Sequence, residues 1–467
     1  MPEKKKKSLS SFSILLLIII ALAVITWFIP MVESANLATI VMAPYNGFLD
    51  AIDVCTFVLV LGGFLGVVSA TGALDNGIKA LVKKLNGNEL VLIPILMTVF
   101  ALGGTSYGMC EETVGFYALV SATMVAAGFD TIVAAATIML GAGIGCLGST
   151  VNPFATGIAS DALVSLGIDC NQGVVIGLGA VLLIVNLVIA ISYVMSYAKK
   201  VKNEKGSILS SLETEAMMEA YGKKDDIDVE FTGTQKTVLV LFAFSFIVMI
   251  SSVIPWDAFL GEETWLAILG WTEFLNGSPL GWWWFGELAM WFFIMSIVIG
   301  VVGKLSEKEI VDSFLAGSAD IVSVVLVIAV ARGASVLMSS TGLDTYVLEA
   351  AASALQGLPA FIFAPLSYLL YLGLSFLIPS TSGCATVTMP IMGPLTQSLG
   401  FNPAVMVLIF AAASGVVNLF TPTSGVVMGG LSIAKVEYGT WLKWAGKLIL
   451  VIALVTAVIL TVAMMIL

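Results

Sequence analysis

The sequence contains no histidine, and only 11% of its 467 residues are charged. Without histidine, neither His-ligated metal sites nor His-based proton relays can form. A soluble chain carries about 25% charged residues, whereas 59% of this chain is hydrophobic. Apolar runs of roughly 20 residues recur along it, long enough to cross a bilayer core of about 30 Å. These features predict a polytopic membrane protein embedded in a lipid bilayer.

Positive charge is scarce and unevenly placed. The net charge is −11, and the few basic residues are too scattered to suggest nucleic acid binding. Apart from one arginine they are lysines, which concentrate at residues 4–7, 79–84, 199–236, 304–308 and 435–447. The positive-inside rule produces such clusters, so we expect them, with the N-terminus, on the cytoplasmic side of a bacterial inner membrane. The first apolar run imitates a signal peptide, but its length favours an uncleaved helix.

Other chemical signatures are also missing. The five cysteines show no CxxC spacing and are expected to be small core residues. No HExxH motif is present, and without histidine the single GxSxG match, at residues 104–108, cannot form a Ser-His-Asp triad, which argues against an intramembrane enzyme.

The chain is predicted to consist of two related halves joined by a polar linker. The first repeat, the linker and the second repeat occupy residues 1–198, 199–236 and 237–467. Positions that correspond between the halves are Asp50 with Asp320, Gly63 with Gly333, and Gly143 with Gly415. An extra apolar segment at 283–302 reverses the orientation of everything that follows it. The sequence therefore predicts an all-α polytopic membrane fold of inverted repeats, the arrangement of many secondary transporters.

Each half contains a hairpin and a broken helix. The hairpins are predicted at about 91–128 and 358–398, and the broken helices at about 131–160 and 402–433. No apolar arm of a hairpin is expected to be long enough to cross the bilayer alone, so both hairpins are predicted to be re-entrant. Pro153 and Pro422 remove backbone donors within the broken helices. Backbone groups freed at membrane depth need protein, water or ligand partners.

Three charged residues lie at predicted membrane depth, where charge is costly and indicates function. Glu111 and Glu112 stand in the tip "GGTSYGMCEETVGFY", at residues 103–117. They could bind Na⁺, carry a proton, hold a cationic substrate group, or simply be solvated at the surface. Arg332 is the only arginine. It could be a counter-ion for either glutamate, or it could grip a substrate carboxylate, since its guanidinium suits bidentate binding.

The segments "GGTSYGMCEETVGFYALV", "GFDTIVAAATIMLGAGIGCLGSTVNPFATGIAS", "ARGASVLMSSTG" and "FTPTSGVVMGG" resemble the YfcC-type transporters. These are grouped with the C4-dicarboxylate anaerobic carriers in the ion transporter superfamily. The resemblance implies two re-entrant hairpins and two broken helices around a midplane site, a homodimer, and an elevator-like motion. It also implies that substrate and Na⁺ bind at Ser-Asn-Thr motifs, although Glu111 and Glu112 replace that motif in the first tip.

The predicted function is secondary active transport of a small carboxylate-bearing solute, most simply antiport of a cationic amino acid such as arginine or ornithine. The predicted substrate-binding residues are Glu111, Glu112, Ser149, Thr150, Asn152, Arg332, Ser380, Thr381, Ser382, Thr421, Thr423 and Ser424. Na⁺ or H⁺ is the expected coupling ion, with Na⁺ near Gly108, Gly148, Asn152, Gly383 and Asn418. The alternatives are a Na⁺- or H⁺-coupled C4-dicarboxylate transporter and, from another class, an ion channel.

Overall fold

The computed structural model describes residues 11–74, 76–77, 80, 88–202, 206–222, 231–253, 256–378 and 380–467. The lysines at 4–7 and 79–84, and the linker segment "KKDDIDVE", lie outside these ranges. The described residues are almost entirely helical and contain no strand. In chain order the helices are α1 (Ser11–Thr26), α2 (Leu37–Asp50), α3 (Ile52–Ala70), α4 (Leu92–Tyr107), α5 (Tyr117–Ala126), α6 (Thr131–Leu147), α7 (Ile158–Ser165), α8 (Gln172–Lys202), α9 (Ser211–Tyr221), α10 (Gly233–Val253), α11 (Trp256–Leu260), α12 (Glu262–Leu269), α13 (Phe285–Val302), α14 (Glu307–Thr341), α15 (Leu343–Leu355), α16 (Ala360–Leu377), α17 (Thr381–Ser398), α18 (Pro403–Val417), α19 (Gly425–Ile433) and α20 (Tyr438–Ile466).

Among the described residues, eight helices are long and apolar enough to cross a membrane. Two of them are hairpin arms, Glu89–Ser106 and Ala360–Leu377, each 18 residues long. The expectation that no hairpin arm could span the bilayer alone was therefore wrong. At 1.5 Å per residue these arms reach about 27 Å, close to the thickness of the hydrocarbon core.

The two halves are related by a pseudo-two-fold axis, which a direct contact between corresponding residues reveals. The Cys55 thiol lies 3.8 Å from the Val325 carbonyl oxygen. The two residues are 270 positions apart, the offset that relates Asp50 to Asp320. A residue can touch its own repeat mate only near a symmetry axis, as in an isologous interface.

The broken helices cross on the same axis. A Cβ atom added to Gly143 of α6 would lie 2.3 Å from the Leu419 side chain, and one added to Gly415 of α18 would lie 2.4 Å from the Leu147 backbone. The two contacts are equivalent in the two repeats, since Gly143 corresponds to Gly415 and Leu147 to Leu419. Small residues therefore bring the centres of both broken helices into close contact, as is common between membrane helices.

The packing divides the helices into two groups. The α14 group consists of α1, α2, α3, α10, α13 and α14, in which α14 packs against α1, α2 and α3, and α13 against α3 and α10. The hairpin group consists of α4 to α8 and α16 to α20, in which both hairpins pack against the broken helices. Contacts of α14 with α19, and of α3 with the tip of the first hairpin, join the two groups.

The described part of the linker is docked on the hairpin group. The buried Glu213 of α9 accepts hydrogen bonds from the Glu437 amide at 2.8 Å and the Thr440 hydroxyl at 3.2 Å. The Tyr221 hydroxyl donates to the Ile433 carbonyl at 2.6 Å. The polar linker thus bridges the end of α19 and the start of α20.

Candidate functional site

A cavity lies between the two groups of helices, where both hairpin tips and both helix breaks converge. Its volume is about 160 Å³, room for about five waters at roughly 30 Å³ each. The predicted site residues that line it are Glu111, Glu112, Asn152, Arg332, Ser380, Thr381, Ser382, Thr423 and Ser424. The cavity therefore collects side chains from both hairpin tips, both helix breaks and α14 at one place.

The first hairpin tip contributes the acidic wall. Gly108 ends α4 in the left-handed region, with φ of 75°, a conformation that glycine adopts without strain. The chain then turns so that the buried Glu112 accepts a hydrogen bond from the Cys110 amide at 3.0 Å. The Glu111 carboxylate lies at the cavity and forms no ion pair with any residue the structure describes. The two neighbouring glutamates thus differ, because only Glu112 is held by the turn.

Hydrogen bonds with the protein occupy most of the polar groups at the first break. Asn152 Oδ1 accepts from the Phe154 and Ala155 amides at 3.0 and 3.2 Å, and its Nδ2 donates to Ser149 Oγ at 3.0 Å. Thr150 hydrogen bonds to Thr105 of α4. Of the three predicted residues here, Asn152 lines the cavity, whereas Ser149 and Thr150 lie behind it and fix the break to the hairpin.

The second tip and the second break form a further part of the cavity wall. Ser380 caps α17 by accepting from the Gly383 amide at 3.2 Å, and the Thr381 hydroxyl lies 3.1 Å from Ser414 Oγ. Thr421 is fully buried and lies outside the cavity lining, 2.6 Å from the Thr423 hydroxyl. Ser424 makes no side-chain cap at the start of α19. Two helix N-termini, with their partial positive charge, therefore reach this wall.

Arg332 pairs with a residue that the sequence did not suggest. Its Nε lies 3.1 Å from Asp50 Oδ2, at the end of α2. Glu111 and Glu112 line the same cavity, and neither forms an ion pair with Arg332. The partner of the lone arginine is thus Asp50, which the sequence singled out only as the repeat mate of Asp320. A carboxylate placed at the end of an apolar helix was the one signal that could have identified it.

The residues predicted to bind Na⁺ divide in the same way. Gly108, Asn152 and Asn418 line the cavity, whereas Gly148 and Gly383 do not. The Gly148 carbonyl accepts from the Thr105 hydroxyl at 2.6 Å, and the Asn152 side-chain oxygen already accepts two amides. In the described part of the chain, no three His, Cys, Asp or Glu side chains cluster as metal ligands do. At Gly148 and Asn152, Na⁺ would therefore have to share oxygens that already accept hydrogen bonds from the protein.

The matches to known proteins extend over most of the chain. The family model described as "DcuC: C4-dicarboxylate anaerobic carrier" matches residues 35–466. An uncharacterised protein of Haemophilus influenzae is 31% identical over 89% of this chain and 76% of its own length. The Escherichia coli (strain K12) protein named "Putative basic amino acid antiporter YfcC" is 29% identical over 88% of this chain and 77% of its own.

Two solved structures resemble the chain over nearly all of its length. MtrF of Neisseria gonorrhoeae, described with a class of antimetabolite efflux pumps, has a TM-score of 0.45 at 15% identity. Its alignment covers 99% of this chain and 96% of the MtrF chain. The YdaH transporter of Alcanivorax borkumensis, described as having an unusual topology, has a TM-score of 0.47 at 14% identity. Its alignment covers 97% of this chain and 98% of the YdaH chain.

Proposed function

Because the chain belongs to the C4-dicarboxylate anaerobic carrier family and is a multi-pass membrane transporter, we propose that it exchanges cationic amino acids such as arginine and ornithine. The observation that carries this proposal is that the cavity holds groups of both charges. Glu111 and Glu112 line it together with Arg332 and the first residues of α17 and α19, whose helix N-termini are partially positive. A solute with a carboxylate at one end and a cation at the other matches both kinds of group at once.

The charge balance favours this class over a dicarboxylate. Three charged side chains line the cavity, two of them acidic. A cationic amino acid places its carboxylate at the helix N-termini and Arg332, and its positive tail at Glu111 or Glu112. A dicarboxylate faces both glutamates without compensation, and desolvated like charges repel strongly. The name of the similar Escherichia coli protein, a basic amino acid antiporter, supports the same substrate class.

The proposed mechanism is elevator-like alternating access. The hairpin group carries both tips and both breaks, so it would move with the substrate, while the α14 group supplies the opposite face. Each hairpin would be re-entrant, entering the membrane from one side and returning to that same side. The setting would be a homodimer in a bacterial inner membrane, with the N-terminus inside. Inverted repeats suit such motion, because exchanging the conformations of the two halves converts an inward-open state into an outward-open one.

The coupling ion stays a choice between Na⁺ and H⁺. Gly108, Asn152 and Asn418 offer oxygens for Na⁺, and the Glu111 carboxylate offers a proton site at the same cavity. Exchange measured at fixed pH with Na⁺ replaced by choline separates these cases. Loss of exchange in choline supports Na⁺ coupling, and unchanged exchange excludes it.

Counterflow in proteoliposomes tests the substrate. Vesicles loaded with unlabelled arginine should take up labelled arginine or ornithine, and E111Q and R332A should lose at least about 90% of that uptake without loss of membrane insertion. E263Q and K308A are the matched controls and should keep wild-type exchange, because both side chains are exposed and lie outside the cavity lining. Wild-type exchange in E111Q and R332A would return both residues to a structural role.

The dicarboxylate alternative rests on the family description, which names C4-dicarboxylates. Saturable succinate uptake that unlabelled arginine does not inhibit would establish that alternative and overturn the proposed substrate. An ion channel predicts unitary currents in planar bilayers and no acceleration by substrate on the opposite side, so the same counterflow measurement distinguishes it.

A further inference from the structure

Arg332 is held from one side only. Its Nε contacts Asp50 Oδ2 at 3.1 Å, and no described residue accepts a hydrogen bond from the terminal amino groups of its guanidinium. The Arg332 side chain is 22% exposed and lines the cavity. Arginine presents five N–H donors in a fixed plane, so the ion pair with Asp50 restrains that plane at Nε and leaves the terminal amino groups for a ligand at the cavity.

A close helix crossing places Asp50 beside Arg332. A Cβ atom added to Gly47 of α2 would lie 2.3 Å from both the Ala329 oxygen and the Gly333 nitrogen of α14. The two backbones therefore touch at residues adjacent to the ion pair. Asp50 follows Gly47 by three residues, about one helical turn, and so lies on the same face of α2.

The repeat contains a similar crossing, displaced by three residues along the partner helix, without the ion pair. Gly317, the mate of Gly47, packs against the Gly62 oxygen at 2.3 Å from its added Cβ atom, and against Gly66 at 2.8 Å. At the mate of Arg332 stands Gly62, and the mate of Asp50 is the exposed Asp320, which has no ion pair among the described residues. The crossing forms in both halves, so it does not require the charges.

Neither helix end accounts for a carboxylate at position 50. Asp50 is the last residue of α2, and α3 begins two residues later, so the opposite partial charges of the two helix ends act on it together. Its ion pair among the described residues is with Arg332, so the carboxylate is best explained by what it does to that guanidinium.

We propose that Asp50 is a positioning residue that determines charge selectivity: it orients the Arg332 guanidinium through Nε and offsets its charge, so that the cavity prefers a cationic solute to a dianion. With Asp50, Arg332 binds one carboxylate through oriented hydrogen bonds while the glutamates keep the cavity negative. Without Asp50, one unit of negative charge is lost and the arginine plane is no longer fixed. This inference rests on the proposed function and names the residue that sets its substrate class.

Competition measures the selectivity. Labelled-arginine exchange is inhibited with unlabelled ornithine or with succinate, and the ratio of the two inhibition constants is compared between variants. D50N should shift this ratio about tenfold toward succinate, and D50E should restore most of the wild-type ratio. D320N, the repeat mate, is the matched control and should leave the ratio unchanged. An unchanged ratio in D50N would overturn the role in selectivity.

A second measurement is independent of the transported solute. Arg332 is the only arginine in the chain, so modification by phenylglyoxal, followed by mass spectrometry, reports on it alone when the tag lacks arginine. D50N should speed the modification about 3- to 10-fold, D50E should return it toward the wild-type rate, and D320N should match the wild type. Equal rates in all four proteins would overturn the Asp50 contact. If the wild type exchanges no arginine but D50N still speeds modification, the substrate assignment fails while the positioning role stands.

Discussion

The phenyl ring of Phe154 and the indole of Trp284 pack edge to face, with their centroids 4.8 Å apart. Phe154 follows the first helix break in the hairpin group, and Trp284 precedes α13 in the α14 group. Both side chains line the cavity. The pair is therefore a direct contact between the two groups at the cavity wall, and any relative movement of the groups must break it.

Loss of this ring contact should open the cavity. An edge-to-face pair contributes about 0.5–1.5 kcal/mol beyond its buried area, which corresponds to a factor of about 2 to 10 in an equilibrium. F154A should therefore speed maleimide labelling of Cys110 about 2- to 10-fold in a C146A background, where Cys110 is the remaining cavity-lining thiol. W271A is the control, because Trp271 stacks on Phe274 outside the cavity lining. Equal labelling of F154A and W271A would contradict a closing role.

The two neighbouring glutamates should differ in their effect on stability. Glu112 accepts the Cys110 amide and is buried, and a donor left without its partner costs about 1–3 kcal/mol. E112A should lower the free energy of unfolding by about that amount, while E112Q, which keeps an acceptor oxygen, should lose less than half of it. E111A should be near neutral in stability although it loses transport. Thermal unfolding in detergent measures all three, and equal losses in E111A and E112A would refute the distinction.

The α2–α14 crossing should tolerate no side chain at Gly47. G47A forces a Cβ atom to within 2.3 Å of the α14 backbone, which cannot move aside as a flexible side chain would. Such overpacking costs about 1–3 kcal/mol, so the unfolding temperature should fall. G177A is the matched control, because a Cβ atom at Gly177 of α8 meets nothing within 4 Å. Alanine there should be neutral or stabilising by up to about 1 kcal/mol. A G47A protein as stable as G177A would contradict the close crossing.

The local signals in the sequence were enough to predict segments that line the cavity. Glycine and proline mark the breaks, scarce charge marks Glu111, Glu112 and Arg332, and repeated motifs indicate the symmetry that the Cys55–Val325 contact displays. These signals are readable because each belongs to a short segment.

The features that could not be predicted from the sequence depend on how the helices cross. The Asp50–Arg332 pair follows from the distance between two backbones, and α2 contains Pro44 and Gly47, which hide its helical character. Whether a hydroxyl faces the cavity, as Ser382 does, or turns behind it, as Thr150 does, depends on the exact backbone path of each break. The docking of the linker was equally hidden, because a polar segment reads as a loop.

Docking of the linker should weaken in acid. Burial raises the pKa of Glu213, but the hydrogen bonds it accepts from the Glu437 and Ser210 amides and from the Ser210 and Thr440 hydroxyls outweigh burial, so its pKa lies below the ordinary value of 4.5. A lowered carboxyl pKa means that the ionised form stabilises the docked state. That stability is fully present above pH 4.5 and is lost as the pH falls through the lower pKa of the docked state.

Amide hydrogen exchange of residues 207–221 measures this docking. In the wild type, protection relative to α18 should be constant from pH 7 to pH 5 and should fall below it, after correction for the intrinsic exchange rate. E213Q should show weaker protection at pH 7 and no further pH-dependent loss, because the glutamine cannot ionise. E219Q, at an exposed position on the same helix, should behave as the wild type. If E213Q and the wild type lose protection in parallel as the pH falls, another group controls the docking and Glu213 does not.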